Sequence, residues 1–115
     1  MPFSRGEIVL ALFPDSNLKS AKKRPVIALQ RDALQAGLPQ TIVAMITSNL
    51  ARGGHPSRVI VPLASNAGKA AGLISDAVIM TDNLATLRDS EFDRQVGIIA
   101  DMKLVDAALR HTLGL

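Results

Sequence analysis

The sequence predicts one mainly β domain, spanning residues 1–115, that ends in a helix. Five or six short apolar or β-branched runs recur at roughly ten-residue spacing, which is typical of a small antiparallel sheet or barrel. Near the C-terminus the apolar residues change to helical spacing. The chain has 115 residues, 48% of them hydrophobic, and no cysteine, so it is long enough to bury a core without disulfides.

The first two predicted strands flank a basic loop. Residues 6–13 form a near-continuous apolar run that ends at Pro14, which predicts a buried strand followed by a turn. A polar loop follows, and residues 26–29 form a second apolar strand. Pro25 cannot donate a ladder hydrogen bond, so it fits only the start of this strand or an edge position.

The middle of the chain supplies the best candidate for a central strand. Residues 31–36 are expected to form one helical turn. Residues 41–47 are β-branched and apolar, which favours a central position in the sheet. Residues 48–57 contain paired glycines and a proline and predict a loop, after which residues 58–63 make a short fourth strand.

The next segments are shorter. Residues 64–72 are small and are expected to be flexible. A fifth strand is predicted over residues 73–80 and a separate short segment over residues 84–87. Residues 90–94 are expected to form a second helical turn, and residues 96–100 a last strand.

A helix is predicted over residues 102–113. Its apolar residues follow helical spacing, Asp101 stands where an N-cap belongs, and Gly114 follows the last turn. Cationic side chains in that last turn, Arg110 and His111, suit the negative end of the helix dipole.

Charge and composition favour a polyanionic partner inside the cell. Residues 1–58 carry eight Lys and Arg against three acidic residues, whereas residues 59–115 carry five against seven. This asymmetry favours a basic face for a polyanion, although such charge can also serve solubility alone. The lack of cysteine, of a secretory signal and of a long apolar run predicts a cytoplasmic protein that does not enter a membrane.

The side chains suit few kinds of catalysis. The two histidines lack metal-ligand spacing, and neither a phosphate-binding glycine motif nor a serine-hydrolase elbow is present, so we expect no metal and no cofactor. His55 and His111 could serve as the base and acid of a ribonuclease. The alternative is a histidine in a mobile loop and another at a helix end.

Arg24 and the run Thr47-Ser48-Asn49 are the most distinctive polar positions. Arg24 follows Lys22 and Lys23, and the polar run ends the most apolar strand. A guanidinium and hydroxyl groups together can hold a phosphate and stabilise charge that develops on it. The alternative is that strand ends are polar because they reach solvent.

In order along the chain, several segments resemble the MazF/PemK family of toxin endoribonucleases. They are Arg5-Gly6-Glu7-Ile8-Val9 followed by Phe13, Arg24-Pro25-Val26-Ile27-Ala28-Leu29, Ile46-Thr47-Ser48, and Gly72-Leu73 with Ser75, Val78, Asp82 and Thr86. The resemblance implies an SH3-like small β-barrel with short helices and a C-terminal helix, and a homodimer inhibited by an acidic antitoxin.

It also implies cleavage of single-stranded RNA at a short motif without metal, by attack of the 2′-hydroxyl on the adjacent phosphorus. The products would carry 2′,3′-cyclic phosphate and 5′-hydroxyl ends. By motif position, Arg24 and Thr47 correspond to the catalytic pair. The expected RNA-binding residues are Phe13, Lys22, Lys23, Ser48, Asp82 and Asn83.

Two departures from the family pattern bear on specificity or activity: Asn83 stands where the family usually has Gln, and Ala85 where it usually has Arg. Phe13 could stack on a base or pack in the core. Two other functions stay open, a non-catalytic toxin such as a gyrase-poisoning relative on the same barrel, and a plain RNA-binding barrel. The latter would need more exposed aromatic residues than the three phenylalanines allow.

Overall fold

The computed structural model describes residues 3–32 and 34–115. These ranges form six strands and two α-helices, with 3-10 turns at Leu50–Arg52 and Asp89–Glu91. The strands are β1 Glu7–Pro14, β2 Ala21–Ala28, β3 Gln40–Thr47, β4 Arg58–Val61, β5 Ala77–Arg88 and β6 Phe92–Ile98; the helices are α1 Asn66–Ala71 and α2 Lys103–Leu113. The prediction of a mainly β fold with short helices and a C-terminal helix is confirmed.

The six strands make one antiparallel sheet in the order β4-β5-β3-β2-β1-β6. The sheet is open, with β4 and β6 at its edges, rather than a closed barrel. The predicted central strand at residues 41–47 is confirmed, because β3 pairs with both β2 and β5.

Two apolar clusters bury both faces of the sheet at its centre. Ile8 packs in one cluster with Ile27 and Val105 of α2, whereas Val9 packs in the other with Phe13. Successive residues of a strand point to opposite faces, so β1 needs apolar side chains at nearly every position. This is the physical reason for its near-continuous apolar run.

Strand β2 begins earlier than its apolar residues indicate. It starts at Ala21, so the basic residues 22–24 lie in the strand and not in the loop. Pro25 pairs with Leu10 of β1, but pairing with β3 begins only at Val26. Up to Pro25 the strand therefore has hydrogen-bonded pairs on one side only, which is the edge position that a proline requires.

Strand β5 is one strand of 12 residues, where two separate segments were predicted. Its pairing with β3 shifts register between Met80, which faces Met45, and Leu84, which faces Ala44. Residues 81–83 are the extra residues of this irregularity, a β-bulge. The polar residues Asp82 and Asn83 interrupt the apolar pattern of the sequence, and for that reason two segments were predicted.

The remaining differences are local. Residues 64–72, predicted to be flexible, contain α1, whose N-cap Ser65 accepts a hydrogen bond from Gly68 N–H at 2.9 Å. A Cβ on Gly68 would lie 2.0 Å from the Pro62 carbonyl oxygen, so this packing requires glycine. The structure assigns Met102 as the N-cap of α2, although the Asp101 carboxylate still accepts a hydrogen bond from Lys103 N–H at 3.0 Å.

Three other predicted segments have different bounds. Strand β4 ends at Val61 rather than at residue 63, and β6 occupies Phe92–Ile98 rather than residues 96–100. The predicted turn at residues 90–94 is the 3-10 turn Asp89–Glu91. The helical turn predicted at residues 31–36 falls partly on Ala33, outside the described residues, and its other residues are not helical.

In the described ranges, no helix has the length and apolar character to cross a membrane.

Candidate active site

The β2–β3 register brings Arg24 and Thr47 together. The ladder between these strands ends at the pair formed by Val26 and Met45. Arg24 and Thr47 each lie two residues beyond that pair, on their own strands. Because side chains two apart share a face, both point to the same side of the sheet, just beyond the last hydrogen-bonded pair.

Arg24 and Thr47 line one cavity of about 270 Å³, which we call the Thr47 cavity. Its hydroxyl groups come from Thr47, Ser48 and Ser75, and its apolar wall includes Leu73 and Ile74. Asn49 N–H donates a hydrogen bond to Thr47 Oγ1 at 3.2 Å. Since the oxygen accepts in that bond, its own proton is available to donate to a phosphate oxygen.

Arg24 also lines a second cavity, of about 530 Å³, which we call the Asn83 cavity. The wall of this cavity contains the end of β1 and the turn after it, residues 13–18, together with Met45, Arg52, Asn83 and Leu84. Arg24 is the residue that these two cavities share. The guanidinium therefore lies between a hydroxyl-rich cavity and a larger one that contains an amide group.

Asp15 is the acidic group next to Arg24. Its Oδ1 lies 3.6 Å from Arg24 Nη2, and its Oδ2 accepts a hydrogen bond from Ser20 Oγ at 2.6 Å. The Ser20 hydroxyl, followed by the charges of Lys22 and Arg24, lowers the pKa of Asp15 below its ordinary value. Asp15 is therefore ionised at neutral pH, and its long contact with Arg24 leaves the guanidinium able to bind an anion.

The adjacent residues Asp82 and Asn83 reach different surroundings. Asn83 faces the Asn83 cavity, with its Nδ2 3.5 Å from Met45 Sδ. Asp82 lines neither cavity, because its carboxylate accepts two hydrogen bonds from Arg58, at 3.3 Å from Nε and 2.8 Å from Nη2. These bonds are the main reason that the pKa of Asp82 lies below its ordinary value. The structure thus separates two side chains that the sequence placed in one RNA-binding pair.

Phe13 packs in the core, which was the alternative to base stacking. Only 2% of it is exposed, and it belongs to the apolar cluster around Val9 and Val26. It contributes to the wall of the Asn83 cavity but leaves almost no ring surface for a base. The structure therefore favours core packing for Phe13, and its contact with RNA stays a prediction.

The predicted lysines and Ser48 lie on or near the same surface. Lys23 and Ser48 line the Thr47 cavity, and the Lys23 ammonium pairs with Asp93 Oδ2 at 3.0 Å. Lys22 is exposed on β2 opposite Phe13 and lines neither cavity.

The two histidines lie close together but away from Arg24. Their ring centroids are 6.1 Å apart, and His55 Nδ1 accepts a hydrogen bond from Ser57 N–H at 3.1 Å. Neither ring lines the Thr47 or Asn83 cavity. Throughout residues 3–32 and 34–115, no group of three His, Asp or Glu side chains is arranged to hold a metal ion.

Sequence reasoning assigned no site role to Ser75, Ile74 or Arg52, which line the two cavities. Ser75 and Ile74 follow the Gly-Leu pair that carried part of the resemblance, and Ser75 itself belonged to that segment. Arg52 lines the Asn83 cavity from the 3-10 turn after β3. A single arginine in a glycine-rich loop gave no signal, because tertiary hydrogen bonds determine its position.

Comparison with known proteins identifies the family. The family described as "PemK-like, MazF-like toxin of type II toxin-antitoxin system" matches residues 4–113. The chain belongs to this family. Two curated relatives are each 35% identical over 119 residues and are covered completely, as is this chain: "Endoribonuclease MazF2" of Mycobacterium bovis and "Endoribonuclease MazF6" of Mycobacterium tuberculosis.

Solved structures of family members share the fold. A mycobacterial "Endoribonuclease in complex with its cognate antitoxin" matches with a TM-score of 0.75 and 20% identity, covering 99% of this chain and 97% of that one. The "Mycobacterium tuberculosis toxin MazF-mt6" matches with a TM-score of 0.74 and 24% identity, covering 95% and 97%. The resemblance noted in the sequence is therefore confirmed for family and fold.

Proposed function

We propose that this chain is a toxin endoribonuclease that cleaves single-stranded RNA at a short sequence motif without a metal ion. Arg24 and Thr47 are the proposed catalytic pair. The observation that carries the proposal is their common cavity at the end of the β2–β3 ladder, whose lining contains Arg24, Thr47, Ser48 and Ser75. The full-length relatives named endoribonucleases support the same reaction class.

The proposed reaction needs only groups of the RNA and of this cavity. The 2′-hydroxyl oxygen forms a bond to the adjacent phosphorus and loses its proton, the bond from phosphorus to the 5′ oxygen breaks, and that oxygen gains one proton and leaves as a 5′-hydroxyl, so that protons balance. The phosphorus remains as a 2′,3′-cyclic phosphate. Arg24 stabilises the negative charge on the pentacovalent phosphorus, and the Thr47 hydroxyl donates to one of its oxygens.

The Asn83 cavity is the proposed binding site for a neighbouring nucleotide. Its volume of about 530 Å³ lies in the range of small-molecule sites. The Asn83 amide can both donate and accept hydrogen bonds, as reading a base edge requires. Ser48 and Lys23 are proposed to bind RNA beside the Thr47 cavity, and exposed Lys22 to attract the backbone. Asp82 is not proposed as a base contact, because Arg58 occupies its carboxylate.

An acidic antitoxin and a second copy of the chain are the proposed protein partners. The similar mycobacterial structure in complex with its antitoxin supports the first. The open sheet edges at β4 and β6 support the second, because unpaired edge strands are commonly covered by association. The cytoplasm, where an RNA substrate and an antitoxin of this kind would be met, is the proposed location.

The test is cleavage of a defined single-stranded RNA in excess EDTA, followed by analysis of the product ends. We expect cleavage at a short motif, 5′-hydroxyl ends that polynucleotide kinase labels without prior phosphatase treatment, and cyclic phosphate at the other end. A strict requirement for added magnesium would contradict the mechanism. RNA that stays intact while DNA gyrase is inhibited would favour a gyrase-poisoning toxin.

A further inference from the structure

Arg52 is a cation at the Asn83 cavity that the proposed reaction has not used. It is exposed, and its guanidinium makes no hydrogen bond or ion pair with any residue in the described part of the chain. Arg24, the other arginine of this cavity, has Asp15 beside it. Arg52 therefore adds a positive charge that forms no ion pair with the described residues, in a cavity that it shares with Arg24 and Asp15.

The backbone that carries Arg52 is held in place by a chain of contacts. Asn49 Oδ1 accepts a hydrogen bond from Ala51 N–H at 3.1 Å, which caps the 3-10 turn. Arg58 Nη1 donates to the Arg52 carbonyl oxygen at 3.1 Å. The guanidinium of Arg58 is in turn fixed by the two hydrogen bonds to Asp82. The Asp82–Arg58 ion pair thus connects β5 to β4, and Arg58 also connects β4 to the turn that carries Arg52.

We propose that Arg52 binds a second phosphate of the RNA, next to the one that is cleaved, and that the Asp82–Arg58 ion pair positions it. The proposal rests on the proposed function, because it names a further contact of the same substrate. A guanidinium presents several N–H donors in a plane that matches phosphate oxygens. An arginine that served only solubility would need neither a backbone fixed by Arg58 and Asn49 nor a position in the wall of a cavity that contains Arg24.

The position of Arg52 also distinguishes binding from catalysis. Thr47, Ser48 and Ser75 line the other cavity, and Arg52 does not. Loss of its guanidinium should therefore weaken RNA binding and raise KM, with kcat changed by less than about twofold. The salt dependence of binding reports the same contact, since each phosphate contact to a single strand contributes a slope of about 0.7 in log K against log salt.

The experiment measures RNA binding and cleavage for wild type, Arg52→Gln and the control Arg110→Gln. Arg110 is exposed on α2 and lines neither cavity, so its substitution removes the same charge from another surface. Binding is followed by fluorescence anisotropy of an RNA that carries 2′-O-methyl groups and cannot be cleaved. We expect Arg52→Gln to weaken binding about fivefold at 0.1 M salt, the factor that one slope of 0.7 gives relative to 1 M salt.

The salt slope itself should fall by about 0.7 in Arg52→Gln and stay unchanged in Arg110→Gln. An unchanged slope and affinity in Arg52→Gln, with wild type active on RNA, would overturn this proposal alone. The proposal would also be overturned if Arg52→Gln weakened only antitoxin binding, or if it changed the base preference while the salt slope of RNA binding stayed the same. Wild-type protein that neither binds nor cleaves RNA would overturn the proposed function together with this contact.

The positioning role of the ion pair is tested with Asp82→Asn. This variant keeps the size of the side chain and weakens both hydrogen bonds to Arg58. If Asp82 acts through Arg52, it should weaken RNA binding, whereas in the Arg52→Gln background it should have little further effect. Effects that add in the double variant, or an Asp82→Asn protein that binds RNA like wild type, would contradict the positioning role.

Discussion

Replacement of Arg24 by alanine tests the central step of the proposed reaction. As the 2′-oxygen bonds to phosphorus, negative charge grows on the phosphate oxygens. In the proposed mechanism the guanidinium of Arg24, which lines the same cavity as Thr47, stabilises this charge without the reorganisation that water would require. Removal of one preorganised donor lowers rates by about 100- to 1000-fold. We expect Arg24→Ala to slow RNA cleavage by that factor.

The same substitution should leave the fold intact. The Arg24 side chain is 35% exposed, and its ion pair with Asp15 spans 3.6 Å. Exposed pairs of this kind contribute about 0–1 kcal/mol, and Asp15 keeps the Ser20 hydroxyl and the Lys22 charge. The expected loss in stability is thus below about 1 kcal/mol, whereas the expected rise in activation free energy is about 2.7–4 kcal/mol.

The assay is single-turnover cleavage of a fluorophore–quencher RNA with protein in excess, paired with urea unfolding followed by circular dichroism. Arg110→Ala is the matched control and should cleave like wild type. Arg24→Lys keeps the charge but not the planar set of donors, so its rate should lie between those of wild type and Arg24→Ala. A rate for Arg24→Ala within threefold of wild type, at an equal folded fraction, would refute the assigned role.

Three other predictions address the remaining site residues. Thr47→Ala should slow cleavage by at least tenfold, and Thr47→Ser should restore most of the rate because it keeps the hydroxyl; equal rates in the two variants would remove the hydroxyl from the mechanism. The double variant His55→Ala with His111→Ala should cleave within threefold of wild type, and a loss of rate in the folded protein would revive the histidine-pair mechanism. Asp82 has a pKa below its ordinary value of 3.8, so its ion pair stabilises the fold above that pH and the contribution is lost as the pH falls below it. Asp82→Asn should therefore lower the unfolding free energy by about 1 kcal/mol at pH 7 and by less near pH 3, a difference that urea titrations at the two pH values measure.

The sequence predicted most strands because their burial repeats with the period of the sheet. Strand β3 and helix α2 were predicted to within a residue or two, since a central strand and a half-buried helix have strong periodic patterns. The start of β2 was missed because this part of the strand has one hydrogen-bonded neighbour and carries exposed lysines. Its polar residues follow from solvent exposure rather than from the absence of a strand.

The candidate site was predictable to the extent that family motifs carry it. Arg24 and Thr47 were predicted by motif position, and both line the Thr47 cavity just beyond Val26 and Met45, the last pair of the β2–β3 ladder. Phe13 was assigned to RNA because an aromatic residue suits both stacking and a core. Its 2% exposure favours the core, and no local pattern in the sequence contains that information.

The bulge in β5 gives Asp82 and Asn83 different surroundings. Adjacent residues of a regular strand point to opposite faces. The three extra residues between the partners of Met45 and Ala44 let Asn83 face the Asn83 cavity while Asp82 reaches Arg58. One residue thus faces the proposed substrate site, and its neighbour supports the turn that carries Arg52. A substitution at either position acts on the same cavity by a different route, through a direct contact at Asn83 and through the backbone of Arg52 at Asp82.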